Sequence, residues 1–344
     1  MKIVFALALS ASVLSNSLFA EESDYVFKAG HSSLQEWLLP DTPPHPADNA
    51  PTADRVALGK SLFFDPRLSG DGNMSCATCH NPLLGWSDGL PTAKGVKSKV
   101  LGRASPTIIN TGYNSIQMWD GRKASLEDQA MGPMEATVEM NMDTEKLFRW
   151  LNQSEGYIEK FGKAYPGKAI DAGTVSKAIA SYERTVVSNK SRFDDWVKGN
   201  AKAMNAREIN GFKLFVGKAN CSVCHSAPNF TDDGFHNIGL ASWGDKEPDM
   251  GRYSERPLRL MKGAFKTPTL REISRTAPYF HDGSSATLAS VVDQYDKGGS
   301  VKTNLSPNMK SLDLSSQDKK DLVAFMETLS SPYQVVGLPE LPLQ

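Results

Sequence analysis

A chain of 344 residues, 40% apolar and 22% charged, exceeds the roughly 250–300 residues at which a single core stops growing, so two globular domains are expected. Its 27 glycines and 20 prolines fall well short of a collagen-like or low-complexity composition. Lys plus Arg (38) nearly cancel Asp plus Glu (39), without a basic cluster, so the footprint of a nucleic-acid binder is missing and no nucleic-acid partner is expected.

The chain opens on Lys2, an apolar run from Ile3 to Leu14, and a small, polar stretch ending at Ala20. Residues 1–20 read as a secretory signal peptide, because the apolar run is shorter than the roughly 20 residues that span a bilayer. The mature chain is expected to be exported and to carry no membrane span. Asp41 to Pro51, with four prolines, reads as a surface lead-in. Apolar residues at helical spacing then predict a helix over Thr52–Phe63, followed by Cys76-Ala77-Thr78-Cys79-His80. A second amphipathic helix is expected over Thr174–Val187. Ser188 to Lys202 marks a boundary, where helix signals give way to Asn, Lys and Gly. The pattern then repeats: a helix over Ala206–Phe215, Cys221-Ser222-Val223-Cys224-His225, and a helix over Gln317–Leu329. In that last helix Leu322, Phe325, Met326 and Leu329 form one stripe, with Ser315 and Asp318 as a capping box. The Pro-rich end from Pro332 reads as a tail packed on the surface.

Four cysteines in an exported chain would ordinarily suggest two disulfides. Their placement argues instead for two C-x-x-C-H motifs, each with two thiols for thioether bonds to a porphyrin and an adjacent imidazole for its iron. Zinc-ribbon pairs are usually about 15–20 residues apart, whereas these motifs lie in opposite halves of the chain. A thioredoxin-like pair explains neither the histidines nor the duplication. Two covalently bound haem c groups are therefore expected, with Cys76, Cys79, His80 and Cys221, Cys224, His225 as attachment and proximal residues. A helix, a haem-binding turn, a loop-rich middle and a closing helix is the plan of a cytochrome c domain. The expected fold is mainly α, with two cytochrome c-like haem domains in tandem and long loops, spanning residues 21–190 and 191–344.

Three blocks are more specific: LGKSLFFDPRLSGDGNMSCATCH, MWDGRKASLEDQAMGPMEATVEMN and FKTPTLREISRTAPYFHDGSSATL. With them the chain resembles the bacterial dihaem cytochrome c peroxidase family, which includes the MauG-type enzymes, over nearly all of its mature length. The resemblance implies a periplasmic oxidoreductase with hydrogen peroxide as oxidant. Peroxide would bind a high-spin N-terminal haem, and Glu139 would carry a proton from the near oxygen to the departing one, a task suited to a carboxylate within hydrogen-bond reach. Gln129 would be its hydrogen-bond partner at the distal face, Pro133 would shape the pocket, and Trp119 would lie between the two haems.

Two positions bear on the type of enzyme. Peroxidases of the family that need reductive activation often carry a capping histidine about sixteen residues after the first motif. That position is Val96 here, and no histidine lies between His80 and His225, so one face of the N-terminal haem is expected to be open. The methionine typical of the low-spin C-terminal haem, fourteen residues after the histidine of the APYFH segment, is replaced by Tyr295, the MauG-type second axial ligand. Tyrosinate is a hard anionic donor that favours oxidised iron, whereas methionine raises the potential. Met309, just before the last helix, is the alternative ligand.

Further departures limit what carries over. Many relatives hold a calcium ion between the domains on two backbone carbonyls, here Thr276 and Pro278, and on an asparagine that is Ala104 here, so calcium is no more than a candidate cofactor. The tryptophan that the enzyme maturing methylamine dehydrogenase carries two residues before its second haem motif is Ala219. The resemblance leaves three readings. The first forms a high-valent dihaem state and oxidises Trp or Tyr side chains of an exported partner protein. The second is a peroxidase fed with electrons by a small cytochrome or cupredoxin. The third is a non-catalytic dihaem electron carrier.

Overall fold

The computed structural model describes residues 25–343, and the expected signal peptide lies outside the described residues. Among the described residues eleven short helices carry the fold: α1 (Ala53–Phe64), α2 (Cys76–Cys79), α3 (Leu126–Ala130), α4 (Gly132–Glu135), α5 (Thr144–Leu151), α6 (Glu155–Ala164), α7 (Ala172–Glu183), α8 (Arg192–Val197), α9 (Ala206–Val216), α10 (Leu288–Asp296) and α11 (Ser316–Glu327). Among the described residues the one sheet is the antiparallel pair β1 (Phe235–His236) and β2 (Phe265–Lys266). The chain is mainly α, as expected, with long irregular connections.

Each half is built on one crossing of two helices. In the first half α1 packs on α7, and in the second α9 packs on α11. Both crossings require a glycine, because a Cβ on Gly59 would lie 1.9 Å from the Ala178 carbonyl oxygen and one on Gly211 would lie 2.0 Å from that of Asp321. Local chemistry sets the helix starts. Thr52 caps α1 by accepting from Arg55 N (3.2 Å), and Asp171 caps α7 by accepting from Thr174 N (2.9 Å). Asn205 caps α9, and Ser315 caps α11 by accepting from Asp318 N (3.1 Å). Each cap satisfies amide donors that the first helical turn leaves unpaired.

The first core gathers Leu58, Leu62 and Phe63 with Ile179 and Tyr182, and the second gathers Phe193, Phe212, Phe215, Phe230 and Phe325. The chain ends cross over. Leu34 and Trp37, which lie before α1, are buried in the second core. Trp37 meets Phe212 edge-on at 5.4 Å and its carbonyl accepts from Arg271 Nη2 at 2.6 Å. At the other end Val336 packs on the first core and the Pro342 carbonyl accepts from Arg67 Nη2 at 3.0 Å. Each terminal segment thus covers the half opposite to the one it adjoins in the chain.

Candidate haem sites

In the first half both thiols lie on the single turn of α2, with His80 at its end. The His80 Nδ1 atom lies 3.1 Å from the Pro106 carbonyl oxygen and 3.3 Å from that of Trp86. Two carbonyl acceptors place the proton on Nδ1 and leave Nε2 as the free donor atom for a metal. Burial lowers the His80 pKa, favouring the neutral ring a ligand needs. In the second half His225 repeats the arrangement, with Nδ1 at 2.9 Å from the Phe230 carbonyl oxygen, and burial pushes its pKa down to about 4. The four cysteines form no disulfide. Burial pushes the Cys79 thiol up to about 11 and Cys221 up to about 12, so these pockets disfavour the thiolates a zinc site demands and suit neutral thioethers.

A cavity of about 490 Å³ opens beside the first motif, lined by Cys76, Cys79 and His80 and by Trp119, Gln129, Pro133 and Glu139. Gln129 comes from α3, Pro133 from the start of α4, and Glu139 from the turn that follows. That turn is held from outside: Val96 N donates to the Glu139 carbonyl at 2.7 Å, and a Cβ on Gly95 would lie 1.8 Å from the Val138 carbonyl oxygen. The loop that could have carried a capping histidine instead ends in buried Val96 and braces the Glu139 segment. Burial raises the Glu139 pKa, with Arg122 pulling the other way.

A second cavity, of about 180 Å³, is lined by Cys221, Cys224, His225, Tyr295 from α10 and Met309. Burial raises the pKa of the Tyr295 phenol. His281 also lines it, but its ring is stacked on Phe265 (centroids 3.4 Å apart, 14° between planes). Trp119 borders both cavities. Two attachment thiols, a neutral imidazole and a largely apolar void recur in each half, so the residues fit two haem c groups.

Sequence reasoning missed the charged set around Trp119. Arg103 donates through Nη1 to Asp120 (2.6 Å), and through Nε (2.6 Å) and Nη2 (2.9 Å) to Asp249 of the other half. Arg122 Nη1 also donates to Asp120 (2.8 Å). No sequence pattern links Arg103 to Asp249, because the pair exists only once the halves dock. Thr276, Pro278 and Ala104 line one cavity of about 110 Å³, with the Ala104 methyl where the relatives' asparagine would supply an oxygen and no carboxylate among the lining residues. Calcium usually takes six to eight oxygens, carboxylates among them, so nothing in this lining adds support for the calcium expectation.

A family model described as di-haem cytochrome c peroxidase matches residues 53–202, and one described as cytochrome c matches residues 209–330. The chain is 44% identical over 304 residues to the methylamine utilization protein MauG of Methylorubrum extorquens, covering 88% of this chain and 86% of that one. It is 38% identical over 329 residues to the cytochrome-c peroxidase IdrP1 of Denitromonas iodatirespirans, covering 87% and 88%. The crystal structure of a MauG-like protein associated with microbial copper homeostasis matches with a TM-score of 0.79 at 30% identity, over 86% of this chain and 95% of that one. No helix among the described residues is long and apolar enough to cross a membrane. Similarity of this extent, over two tandem cytochrome c-like domains, makes the chain a peroxidase-type oxidoreductase that belongs to the di-haem cytochrome c peroxidase family.

Proposed function

We propose that the protein is a MauG-type enzyme of the periplasm, which uses hydrogen peroxide to oxidise Trp or Tyr side chains of an exported partner protein. Haem c held by Cys76, Cys79 and His80 in the first cavity and by Cys221, Cys224 and His225 in the second would supply the redox iron. In the first half, Glu139 holds the proton that peroxide cleavage moves between oxygens, Gln129 orients the bound oxidant by hydrogen bonding, and Pro133 limits the space beside it. Trp119, bordering both cavities, would connect the two sites electronically. Tyr295 carries the proposal. Its phenol lies in the same cavity as Cys221, Cys224 and His225, and as an anionic ligand it would favour oxidised iron.

A second reading, a peroxidase fed by a small cytochrome or cupredoxin, is favoured by Ala219. This residue is buried and presents no aromatic side chain to the surface beside the second motif. The test is to treat the holoenzyme with peroxide in the presence of an exported, Trp-bearing protein encoded beside it, and separately with a reduced small cytochrome. Oxidative mass change or crosslinking in the first mixture supports the MauG-type reading. Rapid oxidation of the cytochrome, with the other protein unchanged, overturns it in favour of the second.

A further inference from the structure

The first cavity holds a carboxyl that the reading above does not use. Glu183, at the end of α7, lines it together with Ile179 one turn earlier, and only 5% of the residue is exposed. Its Oε2 is buried without a hydrogen-bond partner among the described residues. The adjacent cation, Arg184, is directed elsewhere. Arg184 donates through Nη1 (2.7 Å) and Nη2 (2.9 Å) to Glu127 and through Nε (3.0 Å) to the Pro44 carbonyl. That bidentate pair is complete, and it leaves Glu183 beside a carboxylate rather than beside a free cation.

An ionised carboxylate buried without a partner is strongly disfavoured, and an apolar side chain of similar size would fill the position without that difficulty. The groups facing Glu183 are Arg184 just past the end of α7, Glu127 on α3 and the Cys76 sulfur on α2. Tyr182 precedes it and packs on Phe63 of α1. Glu139 and the Arg103–Asp120–Arg122 set line the same cavity. Burial raises the Glu183 pKa to about 8, with Arg184 opposing and Glu127 adding to it.

We propose that Glu183 is the redox-linked proton site of the N-terminal haem, holding a proton while the haem is reduced and releasing it to water when an electron is withdrawn. In that step one electron passes to an external one-electron oxidant, the mediator of a redox titration. The Glu183 O–H bond breaks, one proton goes to solvent, and the net charge of the buried site is unchanged. Low local dielectric makes this compensation effective, because an added positive charge nearby stabilises the carboxylate more strongly than it would in water.

The inference rests on haem occupying this cavity, which a pyridine haemochrome count of two haems per chain establishes separately. Spectroelectrochemical titration of the holoenzyme over a range of pH is the test. In the wild type the midpoint of the N-terminal haem is expected to fall as pH rises through neutrality, since an ionised Glu183 favours the oxidised haem. In Glu183→Gln that dependence is lost and the midpoint stays at the wild type's acid limit. Redox difference infrared spectra of the wild type are expected to lose a protonated-carboxyl C=O band on oxidation. Glu183→Asp shifts the band, and Glu139→Gln leaves it in place. An unchanged pH dependence in Glu183→Gln overturns the proposal. So does the absence of the band from the wild type, a measurement that stands even where the Gln variant fails to assemble.

Discussion

Trp119 donates its indole N–H to the Ala104 carbonyl at 2.9 Å, and the Ala104 amide donates in turn to the His281 carbonyl at 2.7 Å. The ring bordering both haem cavities is therefore fixed to a strap that is itself tied to the second half. Trp119→Phe keeps an aromatic ring but leaves the Ala104 carbonyl without its partner, an expected loss of about 1–3 kcal/mol in stability. Denaturant unfolding measures that loss. Stopped-flow absorption tests the accompanying expectation that peroxide still reacts at the first site while the response of the second haem is delayed.

Buried Val96, rather than a histidine, occupies the loop beside Glu139. The ferric protein as isolated is expected to contain one high-spin and one low-spin haem and to react with peroxide without a reductant. Electron paramagnetic resonance showing only low-spin iron, together with no peroxide reaction before reduction, would contradict this.

Glu139→Gln is expected to retain both haems and to slow the peroxide reaction by roughly 10²–10⁴-fold, the usual contribution of a positioned acid–base group. Its stability should move the other way. Burial raises the Glu139 pKa above its ordinary 4.5, so the folded state holds the proton more tightly than the unfolded chain. Wild-type stability then falls as pH rises from that ordinary value through the raised one. The amide variant does not titrate and is expected to melt above the wild type at neutral pH, with the gap closing towards about pH 4. Thermal unfolding at the two pH values decides it, and a gap that widens on acidification would exclude this sign.

Tyr295→Met replaces an anionic oxygen by a neutral thioether, which stabilises reduced iron. The potential of the C-terminal haem is expected to rise, and the peroxide-generated oxidised state to become shorter-lived. A redox titration and the decay of that state measure the two effects. If neither changes, Tyr295 serves in packing, and Met309, in the same cavity, becomes the better ligand candidate.

Gly59→Ala and Gly211→Ala each drive a methyl group into a facing carbonyl, at 1.9 Å from Ala178 and 2.0 Å from Asp321. Overpacking of this kind typically costs about 1–3 kcal/mol. Each variant is expected to lower the unfolding midpoint and to reduce haem incorporation in its own half, read by haem content after proteolytic separation.

The four framework helices were legible in the sequence because their determinants are local. Apolar spacing marked α1, α7, α9 and α11, and the Ser315–Asp318 box appears where expected. The bounds of α7 moved because Asp171 rather than a later residue is the cap, and because the helix stops at Glu183. The haem-attachment residues were legible for the same reason, since two thiols and an imidazole on one turn form a contiguous pattern. Gln129, Pro133, Glu139 and Trp119 were expected through resemblance alone, and the structure brings all four to one cavity.

What remained hidden depends on which surface meets which. Periodicity reports that a face is buried without naming its partner, so nothing in the order of residues placed Trp37 in the second core or Val336 on the first. The link from Arg103 to Asp249 and the position of Trp119 at both cavities follow from docking of the halves. Glu183 shows the limit most clearly. Its position in an amphipathic helix reads as one charged residue beside another, Arg184. Only the tertiary structure commits that arginine to Glu127 and Pro44, and a buried carboxyl without a counterion cannot be recognised until the destination of every nearby donor is known.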